Sequence, residues 1–389
     1  MPGDNLSLMR GGPTHSLLKR LRLIGPGTRA ATWLCVALMV LTFVPLAMHC
    51  ALDGSLWRGQ QRLALLSDYA VLTRLLVALP MLVLLAPRSD QMLRAAARQF
   101  IHASLVAPSR QLALARSLSR VRQLRDATWP ELVCLLLALM PLVLTGASLG
   151  DRLPGVAQWS LHGDGQLTAA GLWLHYVSLP VFRYIMLVWL WRLLLWSYLL
   201  WTLGRVRLDL HPAHPDGAAG LGFLGLAQER FAVMSLANGA VLCGVFANHM
   251  VYLGASLFSL RYLITGYVVG ATALVLAPLL LLAPTLLRLK WHALMKYDAL
   301  GSRTARSFDR RWRRGQAADD GRDLLDAPDS SALADFTAVY ATIKQIPPLP
   351  ITRWGVLRIV AAALLPLAPL LLLAFSVDEL AASLFGLLA

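Results

Sequence analysis

The chain is short of charge, and of acid most of all. Only 15% of its 389 residues are Asp, Glu, Lys or Arg, against about a quarter in soluble domains. Its 21 acids face 36 lysines and arginines. Cysteine is scarce too. Cys35, Cys50, Cys134 and Cys243 lie in or at the ends of apolar runs, with no CxxC pair. That pattern excludes a disulfide framework and a cysteine zinc site, and leaves four small buried hydrophobes. No Walker A or H-E-x-x-H sequence, Ser-His-Asp arrangement, paired carboxylates or activated cysteine is visible. No catalytic set, cofactor or metal is therefore expected. A cleavable signal peptide is not expected either: residues 1–29 are polar and basic, and the first apolar run is too long for an h-region.

What the chain has in quantity is apolar length. It is 57% hydrophobic with a mean hydropathy of +0.59. Seven runs are long enough for about 30 Å of hydrocarbon, near 31–51, 69–86, 129–147, 172–203, 232–253, 264–287 and 355–375. None alternates as a strand would, and helices satisfy their own backbone groups in lipid. The expected fold is all-α, a polytopic transmembrane bundle of about seven spans with short amphipathic cytoplasmic helices. Of the 36 basic residues, 28 fall on the flanks 1–30, 87–128, 204–231 and 288–354, and four on the opposite side. This asymmetry predicts a cytoplasmic N-terminus. The net charge of +15 then reports topology and contact with an anionic inner leaflet. No recognition motif accompanies it, so nucleic acid is not an expected partner.

Residues 1–30 suit a disordered tail with a basic anchor at Lys19, Arg20 and Arg22. The loop 87–128 divides at Pro108. Leu93, Phe100, Ile101 and Leu105 share one face of its first half, which predicts a helix lying on the membrane surface. Leu114, Leu118 and Val121 align in the second half. Residues 288–354 form a helical cap: span 6 is expected to continue through Tyr297, Phe308 and Trp312. An acidic link follows, then a short helix with Leu333, Phe336, Val339, Tyr340 and Ile343 on one stripe. Residues 355–389 hold the last span, interrupted by Pro366 and Pro369, and an outer interfacial helix from Asp378. Ala240 and Gly244 in span 5, and Gly266 and Gly270 in span 6, are small pairs at helical spacing. Such pairs let helices approach closely and fit a homo-oligomer.

The stretch 172–225 concentrates the candidates. Its helix carries Arg183 and Arg192 at membrane depth, and span 2 carries Arg74. Intramembrane charge implies pairing or function. As functional groups, Arg74, Arg183 and Arg192 would contact an anionic substrate. As structural groups, Arg183 would reach Asp68 and Arg192 would reach Glu131. Nine residues put Arg183 and Arg192 half a turn apart, so one pore wall does not hold both without a bend at Pro180. Arg358, near an end of span 7, can snorkel. The loop after this helix holds His211, His214, Asp216, Gly220 and Gly222. Two imidazoles and a carboxylate have the chemistry for a divalent metal, and the glycine amides that of an anion nest. The plainer alternative is a rigid turn capped by Asp216. His49, His175 and His249, near outer span ends, would make a proton or metal site only if those spans were neighbours. Trp189, Trp191, Trp196 and Trp201 suit packing or lipid.

Several pieces together resemble a family of uncharacterised bacterial multi-pass membrane proteins. They are 75–80 (LLVALP), 177–180 (VSLP) with 189–192 (WLWR), and 214–216 (HPD) with 220–224 (GLGFL). Tyr297, Leu300, Phe308 and Trp312, then 331–335 (SALAD) and 365–369 (LPLAP), complete the set. The resemblance covers most of 65–385 and implies a shared membrane fold in the bacterial inner membrane, without an activity. Two functions remain in view: movement of a small anionic solute, or a non-transport scaffold whose inner helices dock a cytoplasmic partner or anionic lipid.

Overall fold

The computed structural model describes residues 7, 9, 11–14, 16, 28–57, 63–102, 105–106, 108–144, 156–163, 165–206, 208–310 and 328–374. Among them ten helices make the fold and no strand forms. The first is α1 (Thr28–Leu52). Helix α2 runs through Tyr69–Leu72, a π-helical segment Thr73–Ala78, and Leu79–His102. Two shorter helices follow, α3 (Gln111–Asp126) and α4 (Thr128–Leu144). Helix α5 joins Ala169–Trp173, a second π-helical segment Leu174–Ser178, and Leu179–Arg205. Helix α6 spans Phe223–Leu253 with one 3-10 turn, and α7 is Leu257–Leu280. The remainder are α8 (Ala283–Phe308), α9 (Pro328–Lys344), and α10, which joins Arg353–Leu364 to Pro369–Ala374 through a 3-10 turn.

Six helices, α1, α2, α5, α6, α7 and α10, are long and apolar enough to cross a membrane. This is a multi-pass helical membrane protein. The third expected span, near 129–147, is apolar and helical as α4 up to Leu144; its remainder lies outside the described residues. The sixth span starts seven residues earlier than hydropathy predicts. Gly254 ends α6 in the left-handed conformation, φ +68°, and Ser256 caps α7 by accepting from the Ser259 amide. It also stops earlier. Leu281 and Leu282 break the helix, and Pro284 opens α8 as a separate element. Arg261 therefore lies inside α7, with its guanidinium over the Phe258 ring at 3.5 Å.

The loop 87–128 differs most from expectation. Its first half is not a helix on the membrane surface but the uninterrupted extension of α2. Leu93, Ala97, Phe100 and Leu105 are buried in the main core with Leu114, Leu118 and Val121. The apolar face expected to meet lipid meets protein, including Phe223 edge-on to Phe100 at 5.1 Å. α8 and α9 pack as a hairpin, Tyr297 stacked on Phe336 at 6.2 Å, with Ile343 fully buried. Trp312, the acidic link up to residue 327, the anchor at 19–22 and the tail 378–389 lie outside the described residues.

Among the spanning helices α6 is the most enclosed and α7 the least. At Gly244 of α6, a Cβ would overlap the Tyr69 carbonyl and the Thr73 hydroxyl. Glycine is what lets α6 press against the start of α2.

Candidate functional site

Two proline-directed π segments shape the centre of the bundle. Pro80 and Pro180 have no N–H, and each ring would clash with a carbonyl one turn back. The ladder shifts register just before each. Leu79 N donates to Arg74 O and Leu179 N to Leu174 O, both i to i−5. This puts Arg74 and His175 on bulged backbone. From its bulge onward, α5 presents Tyr176, Pro180, Tyr184, Val188 and Arg192, every fourth residue, to a groove of about 470 Å³. Leu34 and Leu38 of α1, Leu82 and Val83 of α2, and Leu135 of α4 wall it. The groove is mostly apolar along its length, with Tyr176 at one end and its charged groups, Arg192 and Glu131, at the other.

Arg192 is 3% exposed. Its Nη2 donates to Gly11 O at 2.9 Å and to Glu131 Oε1 at 3.4 Å, while Nε and Nη1 meet no acceptor among the described residues. Glu131 was the expected pairing partner, and the pair forms. Yet Glu131 is shared. Its Oε2 accepts the Thr14 amide at 2.7 Å and the Thr14 hydroxyl at 2.5 Å. The Tyr184 hydroxyl approaches that of Thr14.

The segment around Gly11 and Thr14 belongs to the stretch expected to be a free tail. Its described residues, from Ser7 to Ser16, instead strap this end of the bundle. Ser7 Oγ and Met9 N donate to the Asp90 carboxylate at 2.7 and 2.9 Å, and Arg125 Nη1 donates to Ser7 O at 2.5 Å. Gly12 N donates to Asp126 Oδ1 at 3.3 Å. Gly11 and Gly12 have φ of +147° and +93°. A Cβ on Gly11 would strike the Arg125 guanidinium, and one on Gly12 the Glu131 carboxylate. Both the backbone conformation and the close approach require glycine. The Asp126 carboxyl is held below its ordinary value by its hydrogen bonds from Arg125, against an opposing push from burial.

The opposite end is built differently. Asp68, 8% exposed, caps α2 through the Val71 amide. It also accepts from Trp159 Nε1 at 3.1 Å and Asn248 Nδ2 at 2.9 Å. Trp159 comes from the loop before α5, and Asn248 from α6. Arg74 is buried on the π segment packed against α6, and Arg183 is half-buried on α5. Neither lines the groove; of the three candidate arginines Arg192 alone does. Arg358 does not merely snorkel: Nη1 bonds Glu229 Oε2 at 2.8 Å.

In the loop after α5, Asp216 Oδ1 accepts the amides of Ala218 and Gly220, and Oδ2 that of Gly222, at 2.9–3.0 Å. The His214 ring lies 2.9 Å away. Burial raises the Asp216 carboxyl, but these donors outweigh it and hold it below the ordinary range. The amides that would cradle an outside anion are taken by the chain's own carboxylate, so this is a capped turn. His211 is exposed. His175 is buried, while His49 and His249 are half-buried. Among the described residues no three His, Cys, Asp or Glu side chains are grouped as a metal site would need. Gly266 and Gly270 have nothing within 4 Å of where a Cβ would stand. No described residue packs on their face.

Sequence reasoning missed Gly11, Thr14, Tyr184, Trp159 and Asn248. No local pattern marks them, because each matters through a partner 53 to 181 residues away in the chain. Comparison with protein families, with curated proteins and with solved structures finds no match to this chain.

Proposed function

We propose that this protein binds and moves a small anionic solute through a bacterial inner membrane, with its N-terminus and basic flanks on the cytoplasmic side. The observation that carries this reading is Arg192: buried, at the strapped end of a groove, with two guanidinium nitrogens that have no acceptor among the described residues. A buried charged donor without an acceptor is costly, and an anionic oxygen at that end supplies the acceptor. Glu131 tempers the charge without supplying those bonds. Arg74 and Arg183, the other two candidate contacts, lie outside this groove and would serve only a path beyond it. The sequence resemblance and the basic asymmetry support the location and orientation. The test is flux from proteoliposomes across a panel of anions. Wild-type protein carries at least one of them, and Arg192→Gln abolishes that flux. Absence of flux for every anion, or full flux in the variant, would sink the reading.

A scaffold reading rests on a different observation. Leu287, Trp291 and Met295 form an exposed stripe on α8, beside Arg288, Lys296 and Arg303. This is the composition of a helix that docks on anionic headgroups. A nitroxide at Met295→Cys reports whether the stripe meets lipid or water. Relaxation by water-soluble reagents alone would rule out docking.

A further inference from the structure

We infer that the groove takes a single-chain anionic amphiphile, entering sideways from the bilayer, with its head on Arg192 and its chain along α5. The inference rests on the anion reading of Arg192 and adds the class of ligand. Three features of the groove argue for it.

The first is its length and polarity. Its α5 wall runs from Tyr176 to Arg192, sixteen steps of 1.5 Å or about 24 Å, most of a hydrocarbon core. Along this length the wall is mostly apolar, and its charge is confined to the Arg192 end. A small hydrophilic ion would satisfy that end and leave the rest empty; a chain with an anionic head matches both. The second is access. Tyr176 is 54% exposed and Leu135 42%, so the rim between α1 and α4 faces what surrounds the bundle. The third is the state of the polar end. Gly11 O already sits on Nη2 as a carboxylate or phosphate oxygen would, and among the described residues the buried Nε and Nη1 have no acceptor. The strap closes this end, so a chain enters from the bilayer rather than through the basic face. The volume, about 470 Å³, lies within the range of sites that hold one ligand, and suits one chain rather than two.

The test uses the full chain in phosphatidylcholine nanodiscs, titrated with radiolabelled dodecanoate. Saturable binding of one molecule per chain is expected, with dodecyl phosphate competing and dodecanol and acetate not. Arg192→Gln should weaken it by about tenfold or more, the size of a lost charge-assisted bond. Glu131→Gln, which removes a like charge from the head, should tighten it. Val181→Trp, which fills the groove without touching Arg192, should abolish it while thermal unfolding shows a folded protein. Equal competition by dodecanol removes the anionic head, and equal competition by acetate removes the chain; either overturns the inference. Displacement by phosphatidylglycerol supplied in the nanodisc would make a two-chain lipid the occupant and overturn the single-chain statement. Flux of a small hydrophilic anion without dodecanoate binding overturns this inference and leaves the transport reading standing. Dodecanoate bound unchanged by Arg192→Gln overturns the head-on-Arg192 placement.

Discussion

The two ends of the bundle each bury a charged side chain from a spanning helix or its cap, and they treat it in opposite ways. At one end Asp68 collects donors from its own helix, from a loop 91 residues on and from α6, 180 residues on. At the other, Arg192 shares Glu131 with Thr14 and has two nitrogens without an acceptor among the described residues. A buried polar group with its partners in place holds helices together; one without them stores a demand that a ligand can meet. The difference separates a structural cluster from a site more sharply than the presence of charge does.

The comparison predicts a ranking. Asp68→Ala should be the most damaging, on the order of 3 kcal/mol, because it strands several buried donors at once. Thermal unfolding in detergent reads this, and a loss no larger than that of Arg192→Gln would erase the contrast. Gly12→Ala should come next, at about 2 kcal/mol, by overpacking against Glu131 at a positive φ. It should also free the strap, seen as faster proteolysis near residue 12 with the spanning helices intact. Arg192→Gln should cost less, about 1 kcal/mol, since only one short bond, to Gly11 O, is lost. Smallest is the effect of pH on the strap. Asp126 has its carboxyl lowered from 3.8, so its contribution is fully present above that value and fades as pH falls through the lower folded value. Protection of the strap from proteolysis should be flat from about pH 8 to pH 5 and weaken only below about pH 4. A loss near neutrality would show that some other group holds the strap.

Most of the membrane architecture was legible beforehand, but its use was not. Ala240 with Gly244 and Gly266 with Gly270 carry the same small-residue signal. The first pair sits on the most enclosed helix, with Gly244 pressed on α2; the second faces open space. Spacing marks a face able to approach another helix and says nothing of which helix arrives. The α2 extension makes the same point. The apolar stripe through Leu93 and Phe100 is right, yet α3 and Phe223 cover it where lipid was expected. Of the candidate site residues, Arg192 and Glu131 met because α4 packs along α5. The histidines of the loop after α5 did not gather a metal set.

By itself the sequence determined that this chain crosses a membrane several times as helices. Hydrocarbon imposes a length and a backbone hydrogen-bond requirement that each segment meets alone. It also marked Pro180 as a place where α5 could depart from regular geometry, since a missing N–H is a local fact. Only the tertiary structure decided which arginine lies in a groove, which acid it shares, and that the N-terminal segment closes the end. Those outcomes depend on contacts between residues far apart in the chain, and no local rule encodes which distant atoms come within 3 Å of one another.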